Sequence, residues 1–572
     1  MRKNRRSLAA AALLLALSLV LAACGSKQSS PPASNGGGQQ GGTQTPSTQT
    51  PSTQTPSGGP KVGGELNLRL NQDPDNLNPI LSSSAYGSMI YGLVYSSLFD
   101  FDLDWSPKGD LAEDWWTSDD GLTFTVKLRE GVKFHDGAEL TSEDVVFTMQ
   151  AIKHPDYTGP RASSMASIED IVAVDKYTVE FKLKEPFAPI FTNINYGILQ
   201  AKLFEGSEIG DMENHPVTWN PVGTGPYKFK EYVRGQYALL ERNDEWFRSE
   251  EEGGAPFIQT IRMKVIPDDQ TALAALENGE IDVDTPTPSE VKRLLTEYEG
   301  RLIPVQYERN GWGYILINTT KEPLTDVRVR QALTHALDRE AIVLGALDGE
   351  AVVPPGPIPP VSWAYKDDLQ TIGYDPAKAE QLLQEAGFTK GADGIYQKDG
   401  KPLELNLYAS SGSSLIEALT TMARQMWQDV GIKVNVNLMD FNAMNENHLQ
   451  PGNYDMAFQA FNLGLDPDSL YALFHGSLAK PNAAGLVTSF NRMRYDNPEV
   501  NALLEEGRRE SDKEKRKEIY GQAQQLIVND APVILMYSNL YTDFHTPRVK
   551  GVVNFPGAGA TLDYLYKWWI EE

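Results

Sequence analysis

The sequence contains a single cysteine, Cys24, which directly follows an apolar run ending in Leu21-Ala22-Ala23. Arginine and lysine residues precede the run, and this order of a basic and then an apolar segment is typical of a secretory signal. The small residues before Cys24 predict cleavage at this position and attachment of the cysteine to lipid. Everything after Cys24 must therefore fold without a disulfide bond.

An uncleaved membrane helix is the alternative, because residues 7–23 approach the roughly 20 apolar residues that span a bilayer. The position of the sole cysteine favours the lipoprotein. Residues 1–23 are therefore predicted to be a signal peptide, and Cys24 is predicted to hold the chain at the extracellular face of the cytoplasmic membrane through its acyl chains, palmitate among them.

Residues 24–61 consist mainly of Gly, Ser, Gln, Thr and Pro, and the sequence Ser-Thr-Gln-Thr-Pro is repeated between Ser47 and Ser57. Such a composition buries too little apolar surface to offset the entropy lost on ordering. This segment is predicted to be a disordered tether, long enough to suit a cell wall.

The remaining body, residues 62–572, is long for one hydrophobic core and is expected to divide into two or more lobes. It contains no second apolar stretch of membrane-spanning length. The chain has 51 basic and 77 acidic residues. This excess of negative charge argues against nucleic acid or an anionic membrane surface as a partner.

Strand and helix patterns alternate along the body, which predicts a mixed α/β class with more than one lobe. The predicted strands are residues 65–70, 122–128, 311–318, 432–438 and 532–537. The predicted helices begin near Thr141 and cover residues 326–336 and 375–386, the last capped by Asp375 and ended by Gly387. Residues 223–227, Gly-Thr-Gly-Pro-Tyr, are predicted to form a tight turn between strands.

The sequence contains no complete catalytic or metal-binding motif. Asp100, Asp102 and Asp104 imitate the start of a calcium loop, but Trp105 replaces its glycine and Leu111 its bidentate acid, so a solvated turn is predicted. The seven histidines lack metal-ligand spacing. No enzyme, metal or cofactor is predicted, although catalytic groups can also assemble from distant residues.

Short motifs in a constant order run over almost the whole body, and together they resemble the family 5 extracellular solute-binding proteins, the dipeptide- and oligopeptide-binding components of ABC importers. The motifs are Asp73-x-x-x-Leu77-Asn78-Pro79, Gly121-Leu122-Thr123-Phe124, Leu128-Arg129-Glu130-Gly131-Val132-Lys133-Phe134-His135-Asp136-Gly137, residues 223–227, Asn278-Gly279-Glu280-Ile281-Asp282, residues 326–333, residues 375–388 and Tyr495-Asp496-Asn497-Pro498-Glu499-Val500.

This resemblance implies a two-lobed clamshell of the periplasmic-binding-protein type (type II, cluster C) with an inserted subdomain. The first lobe would comprise residues 62–104, 216–310 and 536–572, the inserted subdomain residues 105–215, and the second lobe residues 311–535. The chain would cross between the lobes near Asn310 and Met536, so that a ligand favours the closed form by hinge motion. The implied partners of this monomer are a peptide and the membrane-embedded permease subunits of an ABC transporter.

The same resemblance implies ligand contacts in the segment 460–468, where the backbone can pair with an extended peptide. The residues implied at the site are Ser84, Tyr86, Trp312, Tyr314, Phe461, Asn462, Leu463, Gly464, Asp466 and Tyr537. Trp312 and Tyr314 alternate on a predicted strand and so face one side of it. For the aromatic residues, a place in the core is the alternative, and for Asp466 the alternative is the capping of an Asp-Pro-Asp turn.

The chain departs from the family at the positions that would hold the two ends of a peptide. Asn462 and Leu463 stand near the place of an aspartate that holds the ligand ammonium, and Phe458 and Gln459 stand where an arginine would hold its carboxylate. The hypothesis is a ligand bound through its middle, such as a longer peptide, without charged clamps. A non-peptide solute on the same scaffold, an oligosaccharide or a metal chelate, and a surface hydrolase remain the alternatives.

Overall fold

The computed structural model describes residues 59–560 and 562–571. The predicted signal peptide, Cys24 and nearly all of the predicted tether lie outside these ranges. Within them, none of the helices has the length and apolar character that a membrane span requires.

Strands and helices alternate along the described chain. The strands are β1 (Gly63–Leu70), β2 (Phe99–Phe101), β3 (Pro107–Gly109), β4 (Ala112–Thr117), β5 (Thr123–Leu128), β6 (Ile168–Asp175), β7 (Thr178–Leu183), β8 (Tyr227–Val233), β9 (Tyr237–Arg242), β10 (Ile258–Val265), β11 (Val283–Asp284), β12 (Ile303–Glu308), β13 (Gly311–Ile317), β14 (Ala351–Val352), β15 (Thr389–Lys390), β16 (Tyr396–Lys398), β17 (Lys401–Pro402), β18 (Glu404–Ser410), β19 (Lys433–Met439), β20 (Met456–Asn462), β21 (Val533–His545), β22 (Val549–Lys550), β23 (Asn554–Phe555), β24 (Gly559–Ala560) and β25 (Trp569–Ile570).

The helices occur mainly in the second half of the chain. They are α1 (Ala85–Val94), α2 (Ser142–Lys153), α3 (Ile190–Asn193), α4 (Asp269–Glu277), α5 (Pro288–Glu297), α6 (Val327–His335), α7 (Arg339–Ala346), α8 (Pro376–Glu385), α9 (Ser414–Val430), α10 (Phe441–Met444), α11 (Ser469–Phe474), α12 (Pro498–Arg509) and α13 (Lys513–Asp530).

In the described part of the chain, twelve strands form one mixed sheet, in which the order β19-β18-β20-β13-β21-β11-β1-β10-β9-β8 is joined by β12 and β14, both paired with β21. A separate antiparallel sheet has the order β4-β5-β7-β6, and helix α2 packs against it. Parallel pairing of β1 with β10 and of β18 with β19 places helices in the connections, as parallel strands require.

Strand β21 connects two parts of the main sheet. Its first residues pair with β13, from Val533 opposite Leu316 to Tyr537 opposite Gly313. Its later residues pair with β12, from Leu540 opposite Glu308 onwards. The prediction of a short strand at residues 532–537 was therefore wrong in length, because the polar residues that follow Tyr537 continue the strand.

The hydrophobic core of the described residues is also divided, with separate clusters on the two parts of the main sheet that β21 connects. One large cluster joins strands β1, β5, β9 and β10 with helices α1 and α2. Two further clusters are built from residues between Trp312 and Tyr537, one around Trp427 and the other around Tyr520. Strands β13 and β21 contribute side chains to both of these clusters.

The predicted helix starts are confirmed by their caps. Thr141 and Asp144 form a capping box at the start of α2. The side chain of Asp326 accepts a hydrogen bond from the Arg328 amide at the start of α6, and that of Asp375 accepts one from the Lys378 amide at the start of α8. Strands β1, β5, β13 and β19 also occupy their predicted places within a residue or two.

The prediction of a tight turn between strands at residues 223–227 was wrong. This loop lies against the C-terminal end of α1, where the Gly225 amide donates a hydrogen bond to the Val94 carbonyl over 2.8 Å. A Cβ atom at Gly223 would stand 2.1 Å from the same oxygen. The glycines are therefore required by close approach of two backbones.

Candidate functional site

A cavity of about 450 Å³ lies where three parts of the chain meet. Residues 101–124 and 183–192 form one side, and Trp363, Leu465, Asp466 and residues 509–516 form the other. A volume of this size lies within the range of about 300–1,000 Å³ found for small-ligand sites. Six aromatic residues contribute to the walls: Phe101, Trp105, Phe124, Phe187, Phe191 and Trp363.

The aromatic walls are held by packing and hydrogen bonds of the surrounding elements. Phe124 and Phe191 meet edge to face with their ring centroids 5.2 Å apart, which joins strand β5 to helix α3. On the opposite side, Nε1 of Trp363 donates a hydrogen bond to the Leu465 carbonyl over 3.2 Å. The aromatic faces thus have defined orientations before any ligand enters.

Asp466 and Arg516 form a charged pair in the wall of the cavity. Both guanidinium NH₂ groups of Arg516 donate to the two carboxylate oxygens of Asp466 over 2.8 Å, and the side chains are only 8% and 14% exposed respectively. Burial alone would lower the pKa of Arg516, but the charge and hydrogen bonds of Asp466 raise it. The two parallel hydrogen bonds therefore fix the position of both side chains in the wall.

A second acid, Asp468, belongs to the same turn but does not line the cavity. Burial raises the pKa of Asp468 to about 7, against the opposing charge of Arg508, whose Nε lies 3.0 Å from its carboxylate. The Asp468 amide donates to the Asp466 carboxylate over 2.9 Å. This bond confirms that the Asp-Pro-Asp segment is a capped turn, one of the two interpretations of Asp466.

The end of helix α12 and the start of α13 contact the opposite side of the cavity. Nζ of Lys513 donates to the Asp104 carbonyl over 3.0 Å and to Oγ of Ser106 over 2.8 Å. The Ala188 amide donates to the Arg508 carbonyl over 2.7 Å. Residues 102–106 form a turn in which Asp104 accepts the Ser106 amide over 3.0 Å. The prediction of a solvated turn was wrong for Asp100, which lies in strand β2 with its carboxylate 3.3 Å from the buried guanidinium of Arg248.

Trp312 and Tyr314 face the same side of β13, as predicted. Their rings meet edge to face with centroids 4.7 Å apart, and both side chains are buried in a hydrophobic cluster. Nε1 of Trp312 donates to the Pro357 carbonyl over 3.1 Å. Phe461 is half-buried, with its ring centroid 6.2 Å from that of Trp312.

The segment that follows Phe461 is held by Asn310. Nδ2 of Asn310 donates to the carbonyl oxygens of Leu463 and Gly464 over 3.2 and 2.9 Å, and the Leu463 amide donates back to the Asn310 carbonyl over 2.9 Å. Asn462 and Gly464 are exposed, and Leu463 is half-buried.

The other predicted ligand residues have local structural contacts. Ser84 caps helix α1 by accepting hydrogen bonds from the Tyr86 and Gly87 amides, and Tyr86 is half-buried. Tyr537 is buried, with its ring stacked on that of Phe458. Of the ten predicted ligand residues, Asp466 is the one that lines the cavity formed by the described residues.

Most of the cavity was missed by sequence reasoning. Its residues come from a hairpin, a short helix and a helix–helix turn that are far apart along the chain, so no spacing in the sequence links them. The available signal in the sequence was the pair of aromatic residues, Phe187 and Phe191, that follows Pro186 and lines the cavity. Among the described residues, no group of three or more His, Cys, Asp or Glu side chains could hold a metal ion.

Comparison with known proteins places the chain in a family. The family model for "Bacterial extracellular solute-binding proteins, family 5 Middle" matches residues 106–482. The oligopeptide-binding protein AppA of Bacillus subtilis is 32% identical over 530 residues, which cover 90% of this chain and 93% of that protein.

Solved structures have the same fold. Bacillus subtilis AppA in complex with a nonapeptide has a TM-score of 0.70 at 32% identity, with 90% of this chain and all of AppA covered. The ABC transporter substrate-binding protein CtaP of Listeria monocytogenes has a TM-score of 0.76 at 28% identity, with 90% of this chain and 100% of that chain covered. Campylobacter jejuni NikZ in complex with Ni(L-His) has a TM-score of 0.70 at 26% identity, with 89% and 99% covered.

The predicted fold class, a mixed α/β protein with the two-lobed fold of the periplasmic binding proteins, is confirmed by these structures. The matched model and the AppA relative cover most of the chain. The chain belongs to the family 5 bacterial extracellular solute-binding proteins.

Proposed function

We propose that this protein is a lipid-anchored, non-enzymatic receptor that captures peptides, oligopeptides in particular, by lobe closure and delivers them to the permease of an ABC transporter. The observation that carries the proposal is the aromatic-walled cavity of about 450 Å³ between distant parts of the chain. AppA, which is bound to a nonapeptide in its solved structure, supports a peptide as the ligand.

The proposed lobes are residues 62–104, 216–310 and 536–572 for the first, residues 311–535 for the second, and residues 105–215 for the inserted subdomain. The separation of the hydrophobic clusters supports the boundary between the two lobes, whereas a single cluster joins the first lobe to the inserted subdomain. The chain would cross between lobes at the junction of β12 with β13 and within β21. A crossing of two adjacent strands permits bending with few bonds broken, which suits a hinge.

Lobe closure is supported by the contacts around residues 508–513. These residues belong to the proposed second lobe, whereas Asp104 lies at the edge of the first lobe and Ser106 and Ala188 lie in the inserted subdomain. Contacts of Lys513 and Arg508 with these residues would form only when the cavity is shut. A ligand that fills the cavity would then shift the population towards this arrangement.

The ten residues implied by family resemblance stay the proposed ligand contacts, with Asp466 as the link between them and the cavity. The rigid binding of Asn310 to Leu463 and Gly464 supports a fixed backbone edge at this segment. Extended peptides can pair with such an edge through main-chain hydrogen bonds.

A chelated metal is the second candidate, because the structurally similar NikZ was solved with Ni(L-His). The two candidates predict different co-purifying ligands, a peptide or a metal chelate. The full chain would be extracted from membranes with detergent, and its ligand would be released by denaturation and identified by mass spectrometry and metal analysis.

Intact peptides that rebind in calorimetry would support the proposal. Recovery of a metal chelate or a sugar would contradict it, and progressive cleavage of the added peptide would indicate a hydrolase instead.

A further inference from the structure

The cations that line the cavity are each matched by a carboxylate. Arg516 binds Asp466 over 2.8 Å. Nζ of Lys513 lies 3.4 Å from a carboxylate oxygen of Asp104, and Nε of Arg509 lies 3.5 Å from the carboxylate of Glu185. A ligand therefore meets little uncompensated positive charge at this wall.

Asp119 adds a negative charge that lacks such a match. It lines the cavity from the turn between β4 and β5, and its side chain has no hydrogen bond or ion pair with the residues that the structure describes. The adjacent Asp120, in contrast, accepts bonds from Oγ of Ser118 over 2.6 Å and from the Leu122 amide over 3.0 Å. The Asp120 carboxylate is therefore occupied by hydrogen bonds within the turn, whereas the Asp119 carboxylate is available to a ligand.

The walls of the same cavity suit an apolar group. Phe101, Trp105, Phe187 and Trp363 present aromatic surface to the cavity. Such surface gains free energy by covering an apolar side chain, and aromatic faces also attract cations that come within about 6 Å. The cavity therefore combines aromatic surface with one carboxylate, Asp119, that no other described residue matches.

We infer that the cavity selects peptide segments in which an apolar side chain is adjacent to a positive charge, with the ammonium group at Asp119. The inference rests on the proposed function, since it specifies the peptides that the receptor would take. The ammonium can come from a free amino terminus or from a lysine side chain, and both present the same chemistry to a carboxylate.

Calorimetry on the full chain tests this with five probes: Phe-Phe-Ala, N-acetyl-Phe-Phe-Ala, N-acetyl-Phe-Phe-Lys, Ser-Ser-Ala and N-acetyl-Phe-Phe-Glu. We expect Ser-Ser-Ala to bind at least about tenfold more weakly than Phe-Phe-Ala, because two apolar side chains are lost. N-acetyl-Phe-Phe-Ala should bind about twofold to fivefold more weakly than at least one of the two cationic probes, and the glutamate probe more weakly still.

Asp119→Asn should abolish the advantage of the cationic probes over N-acetyl-Phe-Phe-Ala. Glu169→Gln is the matched control, because Glu169 is an exposed acid on strand β6 of the same small sheet and does not line the cavity. This control should change no affinity.

Equal binding of the cationic and neutral probes, an unchanged preference in Asp119→Asn, or equal binding of Ser-Ser-Ala would each overturn the inference. If no probe binds while peptides recovered from the purified protein do, the inference fails and the proposed function stands. If no peptide binds at all, recovered or synthetic, the proposed function fails as well.

Discussion

The carboxyl group of Asp468 is held in a place that disfavours its charge. Burial raises its pKa to about 7, whereas an aspartate in an unfolded chain has a pKa of about 3.9. Between these two values the folded protein keeps a proton that the unfolded chain has released. The free energy of unfolding contributed by this group therefore falls as the pH rises from about 4 to about 7.

Asp468→Asn should remove this dependence, because an amide does not ionise. Relative to the wild type, the variant should gain about 1–3 kcal/mol in unfolding free energy between pH 5 and pH 8. Urea unfolding at both pH values measures the difference. Glu169→Gln, an exposed change, should show no such gain, and a constant difference for Asp468→Asn would refute the assignment.

Trp312 is 3% exposed, and its indole N–H is bonded to the Pro357 carbonyl. Trp312→Ala should lower the unfolding free energy by about 3–5 kcal/mol, since it leaves a cavity in the core. Phe490→Ala is the control, because Phe490 is an exposed aromatic residue near Phe461 and its loss should cost little. Normal stability of Trp312→Ala would contradict this place in the core, whereas peptide binding that weakens beyond the loss of folded protein is the result expected of a proposed ligand contact.

Residue patterns predicted helix caps and strand faces better than they predicted which side chains pack against those faces. The caps at Thr141, Asp326 and Asp375 depend on neighbours within three positions, so the sequence alone predicts them. Alternation also predicted that Trp312 and Tyr314 share a face. It could not predict what covers that face, because the cover comes from side chains far away in sequence.

At the scale of elements, the second half of β21 was not predicted, because its polar residues resemble a loop. In the structure these residues are satisfied by distant partners: Ser538 donates to the Arg309 carbonyl over 3.0 Å, and Asp543 accepts from Thr285 over 2.6 Å. A buried polar residue in a strand can be recognised only when its hydrogen-bond partner is known. The cavity escaped prediction for the same reason, since its walls meet only in three dimensions.

The turn between helices α12 and α13 gives a prediction about ligand release. Arg509→Ala combined with Lys513→Ala removes the ion pairs with Glu185 and Asp104. Release of a bound peptide should become about twofold to fivefold faster, as expected for partly exposed pairs. Stopped-flow measurement of tryptophan fluorescence during a chase with unlabelled peptide gives the rate.

Lys515→Ala is the control for this pair of changes, because Lys515 lies on the same helix and its Nζ is 3.9 Å from Glu510. It should leave the release rate unchanged. Raising the salt concentration from about 0.05 M to about 0.5 M should accelerate release from the wild type and not from the double variant. Equal rates in the wild type and the double variant at low salt would exclude a role in closure.

For the whole molecule, the proposed attachment to the membrane depends on one side chain. Cys24→Ser removes the thiol that lipid attachment requires, so the protein should appear in the soluble fraction or remain unprocessed. Fractionation of cells followed by immunoblotting and mass measurement of the amino terminus would show this. Firm attachment of the variant to membranes would indicate an uncleaved helix.

Strand β21 also sets the order of events during biosynthesis. Strands β11, β12, β13 and β14, with which it pairs, all precede it in the chain. Neither part of the main sheet can therefore be completed until residues 533–545 have left the ribosome. The last pairings of the twelve-stranded sheet are therefore expected to form late, when the chain has been almost fully synthesised.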